Sequence, residues 1–259
     1  MSREIIRCCL LLVLCCTQAL AQQQFDDARQ LERKLLTDTL HLKGGERAVI
    51  PEGERSYPPR IQELLSAGIL QALNSGATAA EVQSKLESVL ADPTLVNQPG
   101  TVAVLAFGEN GSSPLVIAYG IPWCVMCNRT WLGIYEKNSG SYSNTYSINE
   151  VLDNHTIYLH PLPAGGGKQR FVLYGTGLGS YGNPFTVKAY EFSAGPLREF
   201  WTLDGLNNGS IEFHGDEIVL RYYVVSGEAA LSPRRGRVDT YRVTAEGIRL
   251  ESRSEHEGD

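Results

Sequence analysis

The stretch RFVLYGTGLGSYGNPFTVKAYEF, residues 170–192, decides the fold class. Two runs rich in β-branched and aromatic residues flank a loop of Gly, Ser, Asn and Pro, the pattern of a strand–turn–strand unit. The pattern recurs on both sides. LVIAYG (115–120) leads through a turn-rich loop to TWLGIYEKNSGSYSNTYSI (130–148), and EIVLRYY (217–223) leads through SGEAALSPRRG to RVDTYRVTAEGIRLES (237–252). Tyr119, Tyr174 and Tyr223 match in the first strand, spaced by 55 and 49 residues. Tyr135, Tyr190 and Tyr241 match in the second, spaced by 55 and 51. VAVLAF, TIYLHP and SIEFH supply one more strand to each unit. The expectation is a mainly β protein with three antiparallel, four-stranded, blade-like repeats over residues 101–252, preceded by a small α-helical region.

These units resemble the blades of β-propellers, or related exported repeats without a calcium loop. The resemblance covers residues 101–252 and points to no specific family. It implies a partial, propeller-like arrangement, because a closed propeller typically takes at least four blades. No Trp-Asp blade signature and no Gln-x-Trp lectin signature is present.

Residues 22–100 read as helical. Asp26 and Asp27 precede Leu31, Leu35, Leu36 and Leu40 on one helical face, and Gly44-Gly45 ends that segment. Residues 43–58 read as a connector rich in Gly, Pro and charge. Pro59 suits the first turn of a second helix, whose apolar stripe is Ile61, Leu64, Leu65, Ile69, Ala72 and Leu73, with Gly76 as its stop. Thr78-Ala79-Ala80-Glu81 is a capping-box pattern, followed by Val82, Leu86, Val89 and Leu90 at helical spacing. The two helices form an αα-hairpin that must bury its leucines, and the β domain is the expected cover.

Residues 1–21, MSREIIRCCLLLVLCCTQALA, have a basic start, an apolar middle and a small-x-small end, and read as an export signal. The expected location is periplasmic or extracellular. Cleavage after Ala21 removes two arginines and one glutamate, which takes the net charge from −6 to −7. An acidic chain lacks the basic excess of a nucleic-acid binder. No later segment is long and apolar enough to span a membrane. The acidic end, residues 253–259, reads as a disordered tail.

Four of the six cysteines lie in the signal, leaving Cys124 and Cys127 in Trp123-Cys124-Val125-Met126-Cys127. An exported protein meets an oxidising compartment, so this pair is expected to form a short-range structural disulfide. The motif superficially resembles the Trp-Cys-x-x-Cys of thioredoxin-like proteins, which gives an alternative: an exported thiol–disulfide oxidoreductase. In that family a helix N-terminus activates the first cysteine, whereas here strand-like sequence flanks the motif.

Other motifs carry less chemistry. Gly177-Leu178-Gly179-Ser180-Tyr181-Gly182 matches Gly-x-Gly-x-x-Gly, but strand residues follow where a dinucleotide site needs a helix. Ala164-Gly165-Gly166-Gly167-Lys168 lacks the spacing and the Ser or Thr of a phosphate-binding loop. Neither Gly-x-Ser-x-Gly nor His-Glu-x-x-His occurs. Glu150, Asp153 and His155 read as a surface turn, and His155, His160 and His214 show no zinc spacing. Arg234, Arg235 and Arg237 form a small basic loop suited to an anionic sugar or a phosphate. Asn110, Asn128, Asn154 and Asn208 each open an Asn-x-Ser/Thr triplet. The functional expectation is a non-enzymatic exported protein, without cofactor or metal, that binds a partner protein or a carbohydrate through its loops. Trp123, Tyr181 and Arg234 are the expected contacts.

Overall fold

The structure, a computed structural model, describes residues 16, 18–34, 57–90, 102–108, 114–124, 127–149, 152, 156–177, 183–193, 196–224 and 235–257. The chain divides into two compact units, residues 1–151 and 152–259. The first sheet belongs with the helices because they share one core.

In the first unit, α1 covers residues 18–34, and α2 (Tyr57–Asn74) and α3 (Ala79–Leu90) form the expected hairpin. Their buried residues are those of the expected stripes, including Ile61, Leu65, Ile69, Val82 and Leu86. The capping box is formed: Glu81 N–H donates to Thr78 Oγ1 at 3.3 Å, and Thr78 N–H donates to Glu81 Oε2 at 2.7 Å. α1 departs from the reading. It begins upstream of Asp26 and buries Ala21, Phe25 and Ala28, while Leu35, Leu36 and Leu40 lie outside the described residues.

Strands β1 (Val102–Ala106), β2 (Leu115–Cys124), β3 (Cys127–Asn138) and β4 (Ser141–Ile148) make an antiparallel meander in sequence order. Leu115, Ile117, Tyr119 and Ile121 alternate along β2 and, with Trp131 and Tyr135 of β3, share a core with all three helices. Asn74 at the end of α2 pairs with the backbone of β4. Its amide donates to Tyr142 O at 3.1 Å, and its oxygen accepts Tyr142 N–H at 2.6 Å. This places a strand-like hydrogen-bond pair on an edge that would otherwise be open.

The second unit holds seven antiparallel strands in the order β11-β10-β9-β8-β7-β6-β5. They are β5 (Thr156–Gly165), β6 (Lys168–Thr176), β7 (Pro184–Phe192), β8 (Arg198–His214), β9 (Glu217–Val224), β10 (Arg235–Val243) and β11 (Ile248–Glu257). The expected three four-stranded blades are therefore corrected to one sheet of four and one of seven, neither closed into a barrel. The physical reason is β8. It runs unbroken for 17 residues, its first part on β7 and its last part on β9, so the second and third blades share it.

The sheet folds back on itself along β8. His160 of β5 stacks on Phe213 near the end of β8, with ring centroids 3.7 Å apart, although two strands lie between them in the sheet. Arg170 of β6 donates at 2.6 Å to both Thr244 O and Ala245 O in the β10–β11 turn. Between the two halves lies one apolar cluster, including Val172, Val187, Leu206, Ile218, Leu220 and Tyr241.

The tyrosine register does not repeat. Tyr135 pairs with Leu115, four residues from Tyr119, so those two tyrosines share a face. Tyr190 pairs with Phe171, three from Tyr174, and Tyr241 pairs with Ile218, five from Tyr223. Odd separations put those pairs on opposite faces. Tyr135, Tyr190 and Tyr241 are nevertheless all buried. The acidic end is also corrected: β11 continues to Glu257, and only 258–259 of the expected tail lie outside the described residues.

Candidate functional site

A cleft of about 250 Å³ opens on the second unit where β8, β9 and β10 meet. It exists because β8 bulges: the β8–β9 register shifts between Asn207 and Ser210. Asn208 takes the left-handed conformation (φ 47°) and is tied to the start of β7, accepting Asn183 N–H on its side-chain oxygen at 2.9 Å. Gly209 lies flat on Phe185. A Cβ there would meet the ring at 2.3 Å, so only glycine fits. Opposite the bulge stand Arg221 and Tyr223 of β9, and beyond them Gly236 and Arg237 of β10.

The cleft is braced from behind by a buried carboxylate. Asp239 accepts hydrogen bonds from Tyr222 OH at 2.8 Å, Tyr241 OH at 3.0 Å, and Arg253 Nε and Nη2 at 2.7 Å each. Burial alone would raise the Asp239 carboxyl; the Arg253, Tyr222 and Tyr241 bonds outweigh it and hold the group below its ordinary value. Burial, reinforced by Asp239, pushes both tyrosines up. Tyr222 and Tyr241 are donors here and not bases.

Arg237 pairs with Glu255 of β11 through Nη2, and Arg221 pairs with Glu212 of β8 through Nη1. Arg237 Nε is buried and has no hydrogen-bond acceptor among the described residues. A buried N–H without a partner is costly, by about 1–3 kcal/mol, and calls for an explanation at that place. Arg237 is the register partner of Tyr222 and shares its face, whereas Arg221 and Tyr223, one residue to either side of Tyr222, present their side chains to the opposite face. The Arg237 guanidinium at the cleft suits a carboxylate or a sulfate.

The expected site residues fall in several places. Cys124 ends β2 and Cys127 opens β3, and their Cα atoms are register partners at the hairpin tip. Trp123 sits at the register shift between Pro122 and Cys124. The side chains of all three lie outside the described residues, as do Tyr181 and Arg234. Of the basic loop, Arg237 reaches the cleft and Arg235 opens β10. The Gly-x-Gly-x-x-Gly segment joins two strands, with Gly177 N–H donating to Pro184 O at 2.7 Å.

Arg221 and the Asp239 brace were not singled out from sequence, while Tyr223 and Asn208 were read only as a repeat position and as an Asn-x-Ser/Thr triplet. A signal for the brace was present: Arg237, Asp239 and Tyr241 alternate along one face of a strand. Asp239 therefore had to be buried or paired.

A larger cavity, about 570 Å³, lies among α1, α2 and α3. Gln18, Ala19 and Ala21 wall it, all within the expected signal, and most of its other walls are small residues. Among the described residues no group of three His, Cys, Asp or Glu is placed to hold a metal ion, and no helix is long and apolar enough to cross a membrane. No family model, no curated protein and no solved structure matches the chain.

Proposed function

We propose that this chain is an exported, non-catalytic binding protein whose β8–β10 cleft takes the acidic end of a carbohydrate. The observation that carries this reading is the buried Nε of Arg237, without an acceptor among the described residues, on the wall of a cleft that Tyr222 and Asn208 also line. A sugar carboxylate supplies the missing acceptor, and ring hydroxyls suit Asn208 and Ser210. The order of basic, apolar and small segments in residues 1–21 supports export. Because α1 runs through Ala21 and buries it, cleavage there has to precede folding of the first unit.

Titration of the exported protein with acidic oligosaccharides, such as uronate oligomers, against neutral ones of equal length tests this by calorimetry. Arg237→Gln should weaken acidic binding by about tenfold or more, a loss of about 1.4 kcal/mol, and leave any neutral binding unchanged. Equal binding of acidic and neutral sugars, or none of either, refutes the reading; capture of a protein partner without sugar would replace it. N-terminal sequencing should begin at Gln22.

For Cys124 and Cys127 we propose a structural disulfide. Directly opposed residues of an antiparallel pair have Cα atoms about 4.5–5.5 Å apart, inside the range a disulfide spans. The flanking elements are strands, so helix-terminus activation of a redox-active thiolate is missing. Two accessible thiols after oxidative export, or activity in insulin reduction, would overturn this in favour of the oxidoreductase.

A further inference from the structure

The glycine turn of the β5–β6 hairpin delivers a second, unrelated set of cations. Gly166 and Gly167 form the turn with φ of +60° and +75°. Gly165, just before it, has the Arg170 guanidinium where a Cβ would stand, 2.2 Å from Nη1. This run therefore lets Lys168 and Arg170 leave the same hairpin toward a common partner. That partner is Glu191 of β7, only 2% exposed.

One carboxylate here faces three cations. Glu191 Oε1 accepts Lys168 Nζ at 2.6 Å and Arg198 Nε at 2.8 Å, while Oε2 accepts Arg170 Nε at 3.3 Å and Nη2 at 3.2 Å. Arg170 is buried, and its guanidinium is further satisfied by the carbonyls of Thr244 and Ala245. Lys168 and Arg198 are not: their side chains are 41% and 63% exposed, and neither has another carboxylate within ion-pair distance among the described residues. Glu246 acts on Arg170 from the β10–β11 turn. Sharing one oxygen keeps the Lys168 and Arg198 nitrogens within about 5.4 Å, the most those two bonds allow. Two like charges that close, on a solvent-facing surface, attract an oxyanion able to bridge them. Both side chains are already ordered by Glu191, so the entropic cost of binding is reduced.

We propose that Lys168 and Arg198, held side by side by Glu191 at the β5–β6 hairpin, form a binding site for a tetrahedral oxyanion: a phosphate or sulfate monoester. The chemistry is shared by a sulfated glycan, a lipid phosphate headgroup and free phosphate, and the site is separate from the β8–β10 cleft.

The test titrates the exported protein with inorganic phosphate, inorganic sulfate, a sulfated disaccharide, and vesicles of phosphatidylglycerol or phosphatidylcholine. Amide shifts of Gly166, Gly167 and Lys168 serve as the readout. The expected result is saturable shifts with at least one oxyanion, weakened by added salt. The variant K168Q/R198Q should lose affinity about tenfold or more while keeping its uronate binding, and it should melt lower, because Glu191 loses two of its three cations. Response to the disaccharide but not to vesicles identifies a glycan; response to phosphatidylglycerol but not phosphatidylcholine identifies a lipid headgroup; response to the inorganic anions alone supports the site for free phosphate or sulfate. No hairpin shift with any of these probes overturns the proposal, and so does a folded K168Q/R198Q variant that binds as well as wild type. Because the cleft is read by uronate binding and Arg237→Gln, failure of one site leaves the other standing.

Discussion

The four-stranded sheet of the first unit and the seven-stranded sheet of the second each have an apolar face to cover, and they cover it with different material. Separate helices lie on the first, and the contact is mostly hydrocarbon, Phe25, Ile61, Leu65 and Leu86 against Leu115, Ile117 and Trp131, with uncharged hydrogen bonds from Asn74 and Ser66 at its margin. The second covers itself. β8 bends, the two halves close over Val172, Val187, Ile218 and Leu220, and Arg170 ties β6 to the β10–β11 turn. A helix laid on a sheet tolerates some sliding, because dispersion and burial are non-directional. A sheet folded on itself has to fix which distant strands meet, and here directional bonds from a buried arginine do that. Self-coverage thus makes the second unit depend on charge.

The largest effect is expected from Arg170→Ala. It strips a charge partner from Glu191 and leaves the Thr244 and Ala245 carbonyls without their donor. Breaking a buried pair from one side costs about 3–5 kcal/mol. Residue-resolved hydrogen exchange should show the loss across β5–β11, with β1–β4 unaffected. If Arg170→Ala is neutral, the clasp is decoration. Arg170→Met with Glu191→Leu should recover the part of the loss that comes from the unpaired Glu191 charge, but not the part from the Thr244 and Ala245 carbonyls, which stay without a donor.

In the first unit Leu65→Ala should cost about 3 kcal/mol, in the usual range for a buried leucine and the cavity it leaves. This cost should be insensitive to salt and to mild acid, since no charge is touched. A marked salt dependence would erase the contrast between the units.

Acid separates them next. Burial alone would raise the Glu191 carboxyl, but the bonds from Lys168, Arg198 and Arg170 hold it at about 2, against an ordinary value of 4.5. A depressed carboxyl stabilises fully above its unfolded value and loses that contribution as pH falls through the folded one. The second unit should therefore lose protection between about pH 4.5 and pH 2, with Asp239 adding to the loss below 3.8. The Arg170→Met/Glu191→Leu variant should flatten the Glu191 part. A wild-type acid profile that survives in that variant would reassign the acid sensitivity to Asp239.

Helices and strands were legible where one local rule decides. α2 and α3 follow from the spacing of Ile61, Leu65, Ile69, Val82 and Leu86, and the strands from their β-branched and aromatic runs. The blades failed at Asp204-Gly205-Leu206-Asn207-Asn208-Gly209. Asp-Gly and Asn-Gly read as turns because they take positive φ readily. Gly205 and Asn208 do take it, at 73° and 47°, but within a continuous strand, as a bend and a bulge. A turn and a bulge ask the same of a residue, so only the pairing of β8 with both β7 and β9 separates them. The acidic end misled for a related reason. Arg253 and Glu255 look solvated until Asp239 and Arg237 stand opposite them on β10. The cleft shares this fate: Arg237 was visible in a basic run, but its neighbours come from β8 and β9.

The smallest effect belongs to the capping box of the first unit, at the exposed start of α3. Thr78 caps α3, its Oγ1 accepting Glu81 N–H while Glu81 returns a bond to Thr78 N–H. Backbone and side-chain bonds from Thr78 hold the Glu81 carboxyl below its ordinary value. Thr78→Ala removes the cap and should cost about 1 kcal/mol, the typical penalty for an N-cap lost to alanine. Thr78→Asp keeps an acceptor for Glu81 N–H and adds negative charge at a helix N-terminus, so it should recover most of that. Glu81→Gln should cost less than Thr78→Ala, because its amide oxygen still accepts Thr78 N–H. Hydrogen exchange of the first turn of α3 reads all three variants. If Thr78→Ala instead weakened β5–β11 as much as α3, the division into separately stabilised units would fail, and with it the contrast between a sheet covered by helices and a sheet that covers itself.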